Sequence, residues 1–259
     1  MSLIHDRNQR SWKPGPGASA LARGLLDFVF PPHTLDRTGL AQSIGLSAEA
    51  WTRVTFIGEP VCDGCGAPFE YETGERCAAC LARPRAFDRA RAAVLYDDAS
   101  RDLILQFKHA DRTDLSGLFV GWIGRAAEDL LRDADAIAPV PLHRSRLLAR
   151  RFNQAAEIAR PLARRHRIAY LPDVLMRGRR TDSQAGKSGA ARRRNVAGAF
   201  STRTGLRRRV EGRRVLLIDD VLTTGATAEA CARALRAAGA RAVDVAVIAR
   251  VRDAASVSI

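Results

Sequence analysis

The stretch Val215-Leu216-Leu217-Ile218-Asp219-Asp220-Val221-Leu222-Thr223-Thr224-Gly225-Ala226-Thr227 constrains this chain most. Four apolar residues run into two carboxylates. A short loop of threonines and small residues follows, then an alanine-rich segment, Ala228 to Ala238, stopped by Gly239. A continuous apolar run bounded this way predicts a buried strand of a parallel sheet, followed by a helix. Its carboxyl end, leading into a helix N-terminus, is where open α/β sheets bind ligands and where backbone N–H groups and the helix dipole favour a phosphate. Gly225 lets the backbone close around an anion, and the threonine hydroxyls add donors. Asp219 and Asp220 can accept hydrogen bonds from sugar hydroxyls or hold a divalent cation. The competing explanation is a buried strand ending in a capped turn, with Asp220 or Thr224 capping the helix. A Walker-type loop is excluded: Gly186-Lys187-Ser188 has the right tail, but Thr181 stands where the earlier glycine belongs.

These residues resemble the phosphoribosyl-diphosphate (PRPP) motif of type I phosphoribosyltransferases. The resemblance implies that Asp219 and Asp220 contact the ribose hydroxyls. It likewise implies that Thr223, Thr224, Gly225, Ala226 and Thr227 cradle the 5′-phosphate.

A second constellation reads Cys62-Asp63-Gly64-Cys65 and Cys77-Ala78-Ala79-Cys80. A two-residue gap lets both thiolates of a knuckle reach one metal, and two knuckles complete a tetrahedral site. Disulfides compete with that account, but a reducing compartment keeps thiols free. The expectation is structural Zn²⁺ on Cys62, Cys65, Cys77 and Cys80, with Gly64 and Gly66 easing the turn. A closed shell of four thiolates leaves no open position for catalysis. Cys231, within the helix after the phosphate loop, reads as a small core residue.

The sequence predicts strands at 91–96, 135–140, 168–171, 174–177, 199–201 and 243–249 besides the one ending at Asp219 and Asp220. Helices are expected at 20–30, 100–108, 114–131, 147–165 and 190–196, with another around 48–53. Strands alternating with helices imply a parallel sheet with right-handed crossovers. Residues 1–19, polar and rich in Gly and Pro, are expected to be disordered. Residues 20–84 are expected to hold a helix and the cysteine module, and 85–259 the main domain. The segment 179–189 lacks apolar periodicity and reads as a mobile loop. No apolar run approaches the ~20 residues of a membrane span, and no convincing signal peptide opens the chain. A cytoplasmic location without membrane insertion is expected.

Charge is unevenly placed. The chain carries a formal +14, and residues 141–214 hold 21 Arg and Lys against 4 Asp and Glu, a net of +17 that leaves the remainder at −3. Such density seeks polyanions, whether diphosphate or nucleic acid. A solvated arginine face explains it equally well. Aromatic residues make up 6% of the chain, and few are interleaved with arginines. Stacking platforms for single strands are therefore not evident.

Other segments, in order, resemble the ComF family. They are the cysteine knuckles, Tyr96-Asp97-Asp98 ahead of Leu103 to Lys108, Pro139 to Arg144, Arg150 to Ala155, Arg180 to Gln184 and Arg192 to Val196. The likeness spans about residues 20–251. It implies a type I phosphoribosyltransferase-like parallel sheet flanked by helices, with a small zinc-ribbon-like module. It also implies PRPP with Mg²⁺ and a role in natural competence and DNA uptake, with single-stranded DNA and a competence helicase as partners. Arg144, Arg146 and Lys187 are then the candidate catalytic cations that face the departing diphosphate. Two departures stand out. His33-Thr34-Leu35-Asp36 replaces a further cysteine pair, and Ala185-Gly186-Lys187-Ser188 replaces a Gly-Leu-Ser loop. The rival functions are a nucleic-acid-binding adaptor with a vestigial PRPP pocket and a nucleobase-salvage enzyme.

Overall fold

The computed structural model of the chain describes residues 45–69, 74–109, 114–143, 147, 152–178, 196 and 198–252. The expected helices at 20–30 and 190–196, the mobile loop at 179–189 and the polar N-terminus lie wholly or mostly outside them. Two short helices come first, α1 (Ala48–Arg53) and α2 (Ala78–Ala82). Strand β1 (Ala90–Leu95) leads to helices α3 (Asp98–His109), α4 (Leu115–Ala126) and α5 (Glu128–Asp133). Then follow β2 (Ala136–Pro139), α6 (Gln154–His166), β3 (Ala169–Tyr170), β4 (Leu175–Arg177) and β5 (Phe200–Thr202). A 3₁₀ helix (Thr204–Arg209), β6 (Arg214–Leu222), α7 (Ala226–Ala237) and β7 (Ala242–Arg250) complete the order.

Five strands form one sheet in the order β1-β7-β6-β2-β3, and every pairing in it is parallel. The expected parallel sheet is therefore present. Strands β4 and β5 stand apart as an antiparallel pair. Strand β7 is buried along its whole length, as a central strand covered on both faces must be. Side chains alternate across β6. Val215 and Leu217 join the cluster containing Phe200 from β5 and Cys231 and Leu235 from α7. By alternation, Leu216 and Ile218 face the opposite layer. That layer is built on α3, α4 and α6: the Phe107 ring of α3 and the Phe119 ring of α4 pack 5.2 Å apart, and Phe119 meets Trp122 edge-on. Cys231 is wholly buried, as expected of a core residue.

Two expectations change in detail. The helix expected at 114–131 is two helices, broken at Ala127 (φ −117°, ψ 30°). The apolar stripe continues across the break because Leu130 and Leu131 are still buried, so periodicity alone could not locate it. The strand of the ligand edge also runs past its two carboxylates. Asp219 pairs with Val247 and Leu222 with Arg250, so the acids stand on the strand rather than in the loop.

The sheet's start carries a buried charge cluster. Asp244, inaccessible to solvent, accepts from Arg89 at 2.9 Å and from Arg214 at 2.9 Å. Arg89 also meets Asp133 at 2.8 Å. The cluster ties β7, β6, α5 and the segment before β1 together. Among the described residues, no helix is long and apolar enough to cross a membrane.

Candidate functional site: the end of strand β6 and the cysteine cluster

Strand β6 delivers Asp219 and Asp220 to its carboxyl end, and Thr223 and Thr224 turn the chain into α7. The helix begins at Gly225, whose φ is +77° and which supplies no capping side chain. Neither Asp220 nor Thr224 caps the helix, so the capped-turn explanation does not account for this sequence. Gly225 thus offers the start of α7 no side-chain acceptor of its own, and a helix start favours an anion. The Thr224 hydroxyl is buried and has no hydrogen-bond partner among the described residues. A buried donor left unmatched is costly unless a ligand meets it. A Cβ at residue 225 would lie 3.4 Å from Arg85 Nη1 and 3.6 Å from Phe87. The loop thus rests against those two side chains.

The two carboxylates differ. Asp220 is ion-paired to Lys108 of α3 at 2.9 Å. Asp219 Oδ1 accepts from the Asp220 N–H at 2.9 Å. Withdrawal from water, and then the neighbouring Asp220 charge, push the Asp219 carboxyl up to about 7. Lys108 and Arg177 oppose that rise. Arg177 sits over the Phe200 ring at 5.2 Å. An Asp219 carboxyl that titrates near neutral pH, beside the Asp220 carboxylate and two cations, can receive sugar hydroxyls.

Lys108 and Arg177 belong to this edge and escaped sequence reasoning as site residues. Lys108 ends the segment Leu103 to Lys108 that carries part of the family likeness, and its placement beside β6 depends on how α3 packs. Asn153 caps α6, accepting from the Ala155 N–H at 3.1 Å, and donates to the Val140 carbonyl at 3.1 Å. It anchors the loop after β2. Gln154 is buried and donates to the Lys108 carbonyl at 3.4 Å, so α6 helps to hold α3 at the edge. Arg144, Arg146 and Lys187 lie outside the described residues.

Cys62, Cys65, Cys77 and Cys80 converge, their sulfurs all within 4.8 Å of one another. All four are free thiols. Cys65 and Cys77 sulfurs are 3.8 Å apart, and a tetrahedral shell at the usual Zn–S length of ~2.3 Å spans about 3.8 Å between sulfurs. The donor set therefore fits a four-coordinate thiophilic cation. Each knuckle is closed by the backbone, Gly66 N–H donating to the Cys62 carbonyl at 2.6 Å and Cys80 N–H to the Cys77 carbonyl at 2.9 Å, and Cys77 N–H crosses to the Cys62 sulfur at 3.2 Å. Gly66 has φ +66°, as expected at a turn. Gly64 serves differently: a Cβ there would lie 3.2 Å from the Cys80 sulfur.

The cluster is fastened to the sheet. Arg250, buried at the end of β7, donates to the Cys65 carbonyl at 2.6 Å and reaches its sulfur at 3.4 Å. A hydrogen bond from Cys62, and then the Arg250 charge, lower the Cys65 thiol to about 4 against the cost of burial. Burial, and then the charge of Cys65, raise Cys80 to about 11. A cation beside the sulfurs offsets the negative charge that four thiolates gather around a divalent metal.

A cavity of about 750 Å³ lies against the outer edge of β1, two strands from β6. Trp51, Phe56, Arg91, Trp122 and Arg125 line part of it. Trp51 and Phe56 are stacked with centroids 5.2 Å apart, and Trp122 meets Phe56 edge-on. No local pattern signals this grouping, because Trp122 is far from the other two along the chain.

Comparison with known proteins agrees with the fold. Residues 153–258 match the phosphoribosyl transferase domain family model. The chain is 32% identical to competence protein F of Haemophilus influenzae over 196 residues, covering 74% of this chain and 85% of that protein. It is 30% identical to the DNA utilization protein YhgH of Escherichia coli over 199 residues, 75% of this chain and 86% of that one. A solved glutamine PRPP amidotransferase from B. subtilis aligns with 56% of this chain and 30% of its own, at 23% identity and a TM-score of 0.36. That last likeness is too slight to bear on function.

Proposed function

The chain belongs to the ComF family of competence proteins, and on that premise we propose that it binds PRPP at the end of β6 and acts in the cytoplasm during DNA uptake. The observation that carries the reading is the start of α7. A helix start at Gly225, which brings no capping side chain, and an orphaned Thr224 hydroxyl stand directly after two strand-borne carboxylates. The helix start and Thr223 to Thr227 suit the 5′-phosphate. Asp219 and Asp220 suit the ribose diol, and Lys108 holds Asp220 in place.

If the pocket is catalytic, an acceptor nucleophile forms a bond to the anomeric carbon while the carbon–oxygen bond to diphosphate breaks. The diphosphate leaves with the bonding pair. Arg144, Arg146 and Lys187 would stabilise that charge. Mg²⁺, when bound with the diphosphate, would supply further positive charge against the leaving group, and the carboxylates Asp219 and Asp220 would be the residues to hold it. The four cysteines would hold one structural Zn²⁺. Calorimetry with PRPP, with and without Mg²⁺, tests the binding; an absence of heat at millimolar PRPP would refute it. Release of diphosphate across a panel of nucleobases then separates an enzyme from a binding protein.

A second reading, the nucleic-acid adaptor, is favoured by the aromatic grouping. Trp51 and Phe56 are each 43% exposed, beside Arg125, which makes no ion pair among the described residues. Stacked rings next to a guanidinium are what single strands use. Quenching of tryptophan fluorescence by oligo(dT), lost in Trp51→Ala and Arg125→Glu, would support it. Unchanged affinity in both variants would reject that surface.

A further inference from the structure

Arg85 stands between the cysteine cluster and the loop at Thr223 to Thr227. Its Nη1 donates to the Thr224 carbonyl at 2.9 Å and to Glu229 Oε1 at 3.1 Å. Glu229 belongs to the first turn of α7, and its side chain is 3% exposed. It also receives Arg83 Nη2 at 3.2 Å and Arg233 Nη1 at 3.4 Å. Arg83 and Arg85 follow Cys80 by three and five residues. One side chain, five residues beyond the last cysteine of the cluster, therefore joins a buried acid of α7 to the backbone of the loop.

The loop bond has a directional consequence. The peptide between Thr224 and Gly225 is trans, so its carbonyl and its N–H point opposite ways. Holding the Thr224 carbonyl on the Arg85 side turns the Gly225 N–H away from the cysteine module. Gly225, at φ +77°, is the residue most able to let that peptide flip. Without Arg85, binding an anion would first require the peptide to be ordered, which weakens affinity.

We propose that Arg85 is a positioning residue for the phosphate loop, and that through it metal occupancy at Cys62, Cys65, Cys77 and Cys80 sets the loop's affinity for a phosphorylated ribose. The inference rests on the reading of Thr223 to Thr227 as a phosphate cradle. The Arg85 nitrogen that touches the loop, Nη1, is committed to Thr224 and Glu229, so Arg85 is cast here as orienting the loop rather than holding the ligand. Metal closes the module, in which α2 is the one short helix among the described residues. Closure fixes the backbone from Cys80 to Arg85 and hence the guanidinium. When metal leaves, the tether slackens and the Thr224–Gly225 peptide is no longer held.

The test uses the full chain and two probes, ribose 5-phosphate and PRPP with Mg²⁺, titrated by calorimetry. Metal content and circular dichroism are measured on every sample. Arg85→Ala should keep its zinc and its sheet signal yet bind both probes about tenfold more weakly, the effect of roughly one lost charged hydrogen bond. Arg85→Lys, which keeps the charge but loses the fork, should recover part of that loss. Chelation should weaken the parent by a similar factor, with recovery on zinc return, while Arg85→Ala should show no further loss. A parent that binds neither probe defeats the cradle reading itself. A parent that binds, alongside a zinc-loaded Arg85→Ala of equal affinity, overturns the inference. So does chelation that weakens both proteins equally. Should chelation abolish the sheet signal, the zinc-loaded parent, Arg85→Ala and Arg85→Lys decide the matter by the same criterion.

Discussion

Asp219 is the residue whose environment says most about ligand chemistry. Its carboxyl is raised to about 7, above the free value of ~3.9, by withdrawal from water and by Asp220. A raised folded value means that its stabilising contribution is full below pH ~3.9 and is lost as pH climbs through about 7. Asp219→Asn should therefore stabilise the ligand-free chain at pH 8 more than at pH 5, measured by urea unfolding. A ribose hydroxyl donating to the carboxylate favours ionisation. Binding near pH 6.5–7 should then release a proton, visible as calorimetric heats that depend on the buffer's ionisation enthalpy. Heats independent of buffer would rule out this titration. Thr224→Val removes the buried hydroxyl that lacks a partner. It should leave unfolding stability unchanged or higher, and weaken PRPP by about 1–3 kcal/mol.

At the scale of elements, β7 and the cysteine knuckle make separate demands on the sheet. Asp244 is buried against Arg89 and Arg214. Removing one partner of a buried ion cluster leaves unbalanced charge. Asp244→Ala should cost roughly 3–5 kcal/mol in urea unfolding. The knuckle docks through Gly66. A Cβ there would lie 2.8 Å from the Ala90 carbonyl oxygen of β1, and φ is +66°. Gly66→Ala should lower stability by about 1–3 kcal/mol and loosen the knuckle, measured by calorimetric melting and by zinc retention against a competing chelator. A smaller cost than Gly58→Ala, where no atom lies within 4 Å of the added carbon, would show that the docking is slack.

For the whole molecule, two measurements test the broad reading. Purified protein should carry about one zinc per chain. Cys77→Ser should lower its melting temperature while the sheet remains folded; a zinc-free chain of equal stability would end the metal assignment. The basic excess should give DNA binding that weakens steeply with salt. Arg208 and Arg209 are exposed on the 3₁₀ helix. Reversing both should flatten the salt slope by about 2 if each neutralises a phosphate. Affinity that is constant between low and moderate salt would make the arginines a solvated face only.

The ordered motifs carried the fold, because each encodes a local rule. An apolar run ahead of two acids makes a buried strand with a polar end, and Cys-x-x-Cys spacing brings two thiolates to one point. Those rules fixed β6, α7 and the convergence of four cysteines before any packing was known. They did not fix the break at Ala127, because a buried stripe reads the same across one helix or two. Nor did they place Lys108 beside Asp220, Arg85 beneath Thr224, or Trp51 and Phe56 against Trp122. Each of these contacts joins residues far apart in the chain, and their side chains carry no periodic signal. Only the stacking of α3, α4 and the cysteine module on the sheet brings them within bonding distance. Local pattern thus dictates the type of edge, whereas packing assigns the distant cations and rings that serve it, because contacts between residues far apart in the chain leave no local trace.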